Sequence, residues 1–307
     1  MTAEQATNTE STETPNPDLW TIGRLLTWTT EYLTQHGADS PRLDAEVLLA
    51  AARKCQRIEL YTCYEEEAGE DLRTEFRELV RRRAGGEPVA YLVGHREFYS
   101  LSFQVSPAVL IPRPETEFLV IEVLDYLKEL ESDAPPQVVD VGTGSGIVAI
   151  CTAKHNSDAE ITAIDISDQA LQVAKANAAS HEVEQRIQFS QGNLLATLPA
   201  HQNLDVIASN PPYVSEGEYQ QLSRDVKDYE PRTALVGGDT GMELIQQLLP
   251  QAADRLKVGG ALFLEISPMI AADLKELVDA DHRWEPATFT NDLAGYARIL
   301  KTYRRNT

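Results

Sequence analysis

From residue 137 onward, the sequence alternates short apolar runs with segments of helical periodicity. The apolar runs include QVVDV, EITAID, LDVIASN and ALFLEIS, and the segments between them include IVAICTAK, SDQALQVAKANAAS and GMELIQQLLPQAADRL. Repeated strand–helix units of this kind form a mostly parallel sheet with helices on both faces. We therefore predict an α/β fold. The closing runs WEPATFT and ARILKTYR predict a final hairpin, which would place one antiparallel strand at the end of the sheet.

The chain before this pattern divides into distinct parts. Residues 1–16 are polar and rich in Thr and Glu, so we expect a disordered tail. Residues 17–85 show three helical periodicities and no catalytic pattern, which predicts a small helical domain. Residues 86–111 alternate as strands do and predict a β-hairpin linker, which leads to a catalytic domain over residues 112–307. Within the helical domain, Ser40-Pro41 predicts a capped helix start.

Composition narrows the class of protein further. Of the 307 residues, 42% are hydrophobic, which is enough for a sizeable core. No apolar run approaches the ~18 residues that span a bilayer, and the N-terminus lacks the basic and apolar regions of a signal peptide. We therefore expect a cytoplasmic protein with no membrane partner. Cys55, Cys63 and Cys151 include no C-x-x-C pair, so we expect neither a disulfide framework nor a metal site.

The formal net charge of −21 at pH 7 bears on the partners of the protein. This balance repels phosphate backbones unless basic residues are concentrated locally, so we expect no stable nucleic-acid binding. One predicted helix is an exception, because its arginines can attract an acidic protein surface or simply form a solvated helix end. These residues are Arg73, Arg77, Arg81, Arg82 and Arg83.

The first strand–helix junction of the alternating region carries the glycine-rich sequence D-V-G-T-G-S-G over residues 140–146. Glycines at this place let the backbone approach a ligand, with helix N–H groups pointing at it. A dinucleotide fingerprint requires Gly or Ala where Ile147 stands, so NAD and FAD fit poorly. Asp165 ends the next strand. Its carboxylate can accept both ribose hydroxyls of a nucleoside, although it can also cap the helix that follows.

This loop, together with a strand-terminal acid, resembles the class I methyltransferases, whose fold is Rossmann-like. The resemblance implies S-adenosyl-L-methionine as the cofactor. Asp140 would then fix the loop or contact the ammonium group of the cofactor, while Asn193 would hydrogen-bond to adenine N6 and Leu194 would pack on the adenine face. The cofactor-binding residues predicted in this way are Asp140, Gly142, Thr143, Gly144, Ser145, Gly146, Asp165, Asn193, Leu194 and Asn210.

The tetrapeptide Asn210-Pro211-Pro212-Tyr213 follows the strand LDVIAS directly, at the edge where open α/β sheets place their ligands. The nitrogen of a planar NH2 group is a poor nucleophile, because its lone pair is delocalised, and it must therefore be held in line with the methyl group. The Asn210 side-chain carbonyl and the Pro211 backbone carbonyl can accept its two N–H bonds, and Tyr213 offers a stacking face. Adenine N6, guanine N2 and the glutamine side chain all present such a group, so this motif alone leaves the substrate open.

Four segments closely resemble the peptide chain release factor glutamine N5-methyltransferases. In chain order they are GHREF at 94–98, IPRPETE at 111–117, NPPYV at 210–214 and E-P-x-x-A-L-x-G-G-x-x-G at 230–241. The resemblance covers roughly residues 17–304. It implies methylation of the glutamine in the Gly-Gly-Gln motif of class I peptide chain release factors, proteins of translation termination. It also implies that Asn210, Pro211, Pro212 and Tyr213 hold this substrate, with Asn210, Pro211 and Tyr213 as the catalytic residues.

Three positions depart from the family pattern. Asn193 replaces an acid, Ser267 replaces a common glycine, and Tyr296 replaces a polar residue. Two other substrates stay open, namely a glutamine of ribosomal protein L3 and an amino group of a nucleic acid. The acidic charge and the lack of a basic, aromatic-rich domain weigh against the nucleic acid. We expect a monomer in which residues 17–85 recognise the substrate.

Overall fold

The computed structural model describes residues 19–199 and 202–306. The tail predicted over residues 1–16 therefore lies outside the described residues. The chain divides into two compact units, of which the first ends at Val93 and the second begins at Gly94. None of the helices in the described ranges combines the length and apolar character that a bilayer crossing requires.

The first unit is helical, as the sequence predicts. Its helices in the described part of the chain are α1 (Ile22–Gln35), α2 (Pro41–Arg53), α3 (Glu59–Thr62), α4 (Glu70–Ala84) and α5 (Val89–Val93). The three long helices α1, α2 and α4 bury a common core that includes Leu26, Leu48 and Phe76. The helix α5 lies where the alternation predicted a strand. Pro88 explains the difference, because its fixed φ suits the start of a helix and its carbonyl accepts the N–H groups of Tyr91 and Leu92.

Two local details of the first unit differ from the simplest interpretation of the sequence. Pro41 does open α2, but the Ser40 side chain makes no capping hydrogen bond. Three of the arginines of α4 are paired with acids of the same unit, at distances of 2.5–2.7 Å. These pairs are Arg81–Glu78, Arg82–Glu87 and Arg83–Asp44. The cationic surface of this helix is therefore weaker than the arginine count suggests.

The second unit contains a hairpin, a large sheet and a short strand pair. Its described strands are β1 (His95–Phe98), β2 (Leu101–Gln104), β3 (Gln137–Val141), β4 (Glu160–Asp165), β5 (Ile187–Gln191), β6 (Leu204–Ser209), β7 (Val214–Ser215), β8 (Val236–Gly238), β9 (Leu256–Glu265), β10 (Thr288–Asn291) and β11 (Ala297–Tyr303). The strands β1 and β2 pair as an antiparallel hairpin, from His95 opposite Gln104 to Phe98 opposite Leu101. Tyr99 and Ser100 both have positive φ at its turn, as a tight two-residue hairpin loop requires.

The large sheet has the order β10-β11-β9-β6-β3-β4-β5. The pairs β9–β6, β6–β3, β3–β4 and β4–β5 are parallel, which confirms the predicted α/β architecture. The antiparallel strand is β11, and it lies between β9 and β10 rather than at the end of the sheet. It takes this place because the final hairpin inserts its second strand against β9 and leaves β10 at the edge.

Helices cover both faces of the sheet. Those of the second unit are α6 (Thr116–Glu129), α7 (Ile147–His155), α8 (Asp168–Ser180), α9 (Glu216–Tyr219), α10 (Arg224–Lys227), α11 (Glu243–Ala253) and α12 (Ala271–Ala280). Consecutive residues of a strand point to opposite faces. Val138 accordingly packs in the cluster with α6 and α7, and Val139 in the cluster with α11 and α12. The two cores fix the carboxyl ends of the parallel strands along one edge.

Candidate active site

A cavity of about 310 Å³ opens at the carboxyl ends of the central parallel strands. Its wall includes the loop after β3 and the residues that follow β4, β5 and β6. Most of the site residues predicted from the sequence lie in this wall. They are Asp140, Gly142, Thr143, Gly144, Ser145, Asp165, Asn193, Leu194, Asn210, Pro211 and Pro212. Gly146 and Tyr213 are not among the lining residues.

The glycines of the loop have two different tasks. Gly142 and Gly144 have φ values of +72° and +56°, and a Cβ atom at either position would meet a single atom, at 3.9 Å. They shape the turn and leave the adjoining space to a ligand. Gly146 has φ +87°, and a Cβ there would lie 2.9 Å from Ile150 Cδ1 and 3.2 Å from Ala174 Cβ. The third glycine therefore permits close helix packing behind the loop.

Asp140 holds this loop in its conformation. Its Oδ2 atom accepts hydrogen bonds from Thr143 Oγ1 at 2.6 Å and from the Ala149 amide at 3.2 Å. The side chain is buried, and burial raises its pKa to about 6, although both hydrogen bonds oppose that shift. Of the two roles considered for Asp140, the hydrogen bonds support the first, which is to fix the loop.

Asp165 lies opposite the glycine loop at the end of β4. Its two carboxylate oxygens accept the amides of Gly144 and Ser167, each at 2.9 Å. The capping residue of α8 is Ser167, whose hydroxyl accepts the Ala170 amide at 3.2 Å. Asp165 is therefore not the capping residue of α8. A carboxylate has about four acceptor positions, so two backbone bonds leave acceptor capacity for a pair of ribose hydroxyls.

The next part of the wall follows β5. The Gly192 amide donates to the Asp165 carbonyl at 2.9 Å, which ties this turn to the end of β4. Leu194 adopts a positive φ of 53°, uncommon for a residue with a branched side chain, and is half-buried beside the cavity. Asn193 is exposed at the rim. An apolar side chain and an amide next to Asp165 suit the base of a nucleoside whose ribose hydroxyls Asp165 could accept.

Asn210 stands at the end of β6, with its orientation set by a neighbour. Its Nδ2 atom donates to Thr116 Oγ1 at 3.3 Å. Thr116 is buried at the start of α6 and also lines the cavity. Because the nitrogen end of the amide is committed to Thr116, the carbonyl end is directed elsewhere. Asn210 can therefore present an acceptor to a substrate NH2 group.

Tyr213 is half-buried and is not among the residues that line the cavity. Its side chain packs against the core on the side of α11, and its hydroxyl lies 3.5 Å from Glu265 Oε1. Burial raises the pKa of Tyr213 and lifts that of Glu265 to about 7. The Oε2 atom of Glu265 has no hydrogen-bond partner within residues 19–199 and 202–306. The contacts of Tyr213 in the described residues are thus with this core and with Glu265, and its role in stacking on a substrate stays a prediction.

An ion pair that the reasoning from individual residues did not predict completes the wall. Arg113 lines the cavity, and its guanidinium donates to Glu230 Oε1 at 2.5 Å. The other Glu230 oxygen accepts the Ile111 amide at 3.1 Å, and burial raises the pKa of this carboxyl. Arg113 and Glu230 belong to two of the four segments on which the family resemblance depends. The sequence segments thus included both residues, but they gave no indication that the two form an ion pair.

Comparisons with known proteins agree with this geometry. A family model described as the methyltransferase small domain matches residues 123–226, and one described as the PrmC N-terminal domain matches residues 24–94. Two solved structures of the hMettl16 catalytic domain, in complex with MAT2A 3'UTR hairpins 1 and 6, superpose with TM-scores of 0.54 and 0.53. They are 15% and 16% identical and cover 74% of this chain and 80% and 82% of their own chains. At that identity they support the fold alone. Fold and site together define a class I methyltransferase.

Curated relatives identify the family. A release factor glutamine methyltransferase of Rhodopirellula baltica is 50% identical over 94% of this chain and 98% of its own length. Enzymes of the same name from Koribacter versatilis and Nitratidesulfovibrio vulgaris are 42% and 41% identical, over 88% and 93% of this chain and 94% and 96% of theirs. The chain belongs to the release factor glutamine methyltransferase family. The family predicted from the four sequence segments is confirmed.

Proposed function

We propose that this enzyme transfers a methyl group from S-adenosyl-L-methionine to the side-chain amide nitrogen of the glutamine in the Gly-Gly-Gln motif of class I peptide chain release factors. The observation that carries the proposal is the continuity of the cavity. One wall joins the glycine loop and Asp165 to Asn210 and Pro211. A nucleoside donor and an amide acceptor can therefore meet in one space.

The residues present suit S-adenosyl-L-methionine, which has no phosphate and carries a sulfonium. Asp165 would accept hydrogen bonds from the ribose hydroxyls, because its hydrogen bonds to two backbone amides leave other acceptor positions open. Gly142 and Gly144 would allow close approach of the backbone, and Asn193 and Leu194 would contact the adenine. When bound, the cofactor supplies an electrophilic methyl group.

The protein would act on the glutamine mainly by orienting it. The Asn210 carbonyl and the Pro211 backbone carbonyl would accept the two amide N–H bonds, and so aim the nitrogen at the methyl group. Thr116 would keep Asn210 in the required orientation through the 3.3 Å hydrogen bond. Alkylation makes the nitrogen acidic, so the proton leaves afterwards without a dedicated base. Orientation and preorganised acceptors would supply most of the rate enhancement.

Selectivity must come from elsewhere, because the acceptors around Asn210 suit any planar NH2 group. We propose that the helical residues 17–85 contribute to recognition of the release factor. We also propose that the enzyme acts in the cytoplasm as a monomer, without stable nucleic-acid binding. The net charge of −21 disfavours both self-association and contact with phosphate backbones.

A competition assay with labelled cofactor tests the substrate. Intact release factor, ribosomal protein L3 and DNA are offered together to the purified enzyme, and the label in each is counted. We expect label in the release factor and background counts in the other two. Comparable transfer to L3, or transfer to DNA, would overturn the proposed substrate and leave the methyltransferase class unchanged.

A further inference from the structure

Three large apolar side chains project from two loops of the second unit. Met269 is 76% exposed, Leu293 98% and Tyr296 58%. Single exposed apolar residues are ordinary on protein surfaces, but several together often mark a contact site. The strand pairing shows where the two loops with these side chains lie relative to each other and to the active site.

Strand pairing places both loops at the catalytic edge of the sheet. Met269 follows the carboxyl end of β9, and Leu293 and Tyr296 lie in the turn between β10 and β11. Ile299 pairs with Glu265, and the Ile266 amide donates to the Arg298 carbonyl at 2.8 Å. The turn therefore adjoins the carboxyl end of β9.

The same edge carries the proposed substrate acceptor. Leu264 of β9 pairs with Ser209, which immediately precedes Asn210. Neighbouring strands lie ~4.8 Å apart, so the amino end of β11 is on the order of 10 Å from the carboxyl end of β6. The loops that carry the three apolar side chains thus lie at the same edge of the sheet as Asn210.

The backbone of the turn that carries Leu293 is tied by several hydrogen bonds. Asp292 Oδ1 accepts the amides of Ala294 and Tyr296, each at 2.9 Å, and Asp292 Oδ2 accepts Arg298 Nε at 2.8 Å. The Asp292 amide in turn donates to the Tyr296 carbonyl at 2.8 Å. A turn whose backbone is already held in this way loses little backbone freedom when a partner covers it.

We propose that Met269, Leu293 and Tyr296 form a docking surface for the folded protein that presents the target glutamine. The proposal rests on the proposed function. A glutamine that enters the cavity from a folded protein brings its neighbouring surface onto this rim, and an apolar patch there gains by being covered. A nucleic acid or a second copy of this chain is a poorer occupant, because both would approach a protein of net charge −21 with charge of the same sign.

Substitutions at Leu293 test the surface. We compare Leu293→Ser with Leu293→Met, which keeps an apolar side chain, and with Val258→Ser. Val258 is 63% exposed near the amino end of β9, away from the catalytic edge, and serves as the matched control. Intact release factor is the substrate, and the affinity for S-adenosylhomocysteine is measured in parallel.

We expect Leu293→Ser to raise KM for the release factor about tenfold, the change that corresponds to ~1.4 kcal/mol of binding. Its kcat and its affinity for S-adenosylhomocysteine should stay at wild-type values, and both other variants should behave as wild type. An unchanged KM, or an equal rise in Val258→Ser, would overturn the docking surface alone. If the wild-type enzyme does not methylate the release factor, the proposed function is overturned together with the docking surface. Sedimentation in which Leu293→Ser converts a dimer to a monomer would reassign the surface to contact between copies.

Discussion

At the scale of single residues, the site depends on acceptors whose other hydrogen bonds are already fixed. Asp165 uses backbone amides to hold its carboxylate, and Asn210 uses Thr116 to hold its amide. Groups fixed in this way need little reorganisation when a ligand arrives. Each residue leads to a separate prediction, because Asp165 would bind the cofactor and Asn210 would orient the substrate.

Asp165→Ala should weaken cofactor binding and leave the fold intact. The variant lacks the charged acceptor proposed for the ribose hydroxyls, so we expect a loss of ~1.5–3 kcal/mol or about 10- to 100-fold in affinity. Titration calorimetry with S-adenosylhomocysteine measures it. Wild-type affinity in this variant would mean that Asp165 does not bind the ribose.

Thr116→Val should lower kcat with little effect on cofactor affinity. Valine has nearly the shape of threonine but cannot hold the Asn210 amide, so turnover should fall by about 10- to 100-fold, or ~1.4–2.7 kcal/mol in the barrier. Thr116→Ser restores the hydroxyl and should recover most of the rate. A valine variant with wild-type kcat, or a serine variant as slow as valine, would contradict the positioning role.

At the scale of elements, the sequence predicts well those helices and strands that local periodicity determines. The strands that carry Asp140, Asp165 and Asn210 follow from alternation and from turn chemistry, and so does their meeting at one edge. The helix at 89–93 was missed, because a short apolar run suits a strand or a helix equally and Pro88 decided between them. The insertion of β11 beside β9, the Arg113–Glu230 pair and the packing of Tyr213 near Glu265 depend on contacts between distant segments, for which a single sequence carries no local signal.

Gly146→Ala tests the packing behind the glycine loop. Alanine at φ +87° carries backbone strain, and its Cβ would also crowd Ile150 and Ala174. We expect a loss of ~2–4 kcal/mol in the free energy of unfolding. Gly259→Ala is the matched control, because Gly259 has φ +80° with nothing within 4 Å of a Cβ. It should lose only the ~1–2 kcal/mol of backbone strain. Equal losses in urea unfolding would show that crowding at Gly146 is unimportant.

At the scale of the whole molecule, stability should depend on the buried carboxyl of Glu265. Thr116, Tyr213, Glu115 and Arg298 surround it, and burial raises its pKa from 4.5 to about 7. A raised carboxyl pKa favours the protonated folded state. The resulting stabilisation is therefore complete below the ordinary pKa and is lost as the pH rises through about 7.

Glu265→Gln keeps the shape of the side chain and removes its titration. Between pH 6 and pH 8 the wild type should lose about 1 kcal/mol more unfolding free energy than this variant. Other titrating groups, Asp140 among them, are common to both proteins and cancel in the difference. Parallel pH profiles in urea unfolding would contradict the raised pKa.

The central claim is that this enzyme methylates one glutamine side chain of a release factor. Tandem mass spectrometry of a release factor after incubation with enzyme and S-adenosyl-L-methionine tests it most directly. We predict a single added methyl group on the side-chain amide of the Gly-Gly-Gln glutamine. We predict no methyl group after incubation with Asn210→Ala, a variant that should still bind the cofactor. A methyl group on another residue, or an unmodified release factor with active wild-type enzyme, would contradict the account.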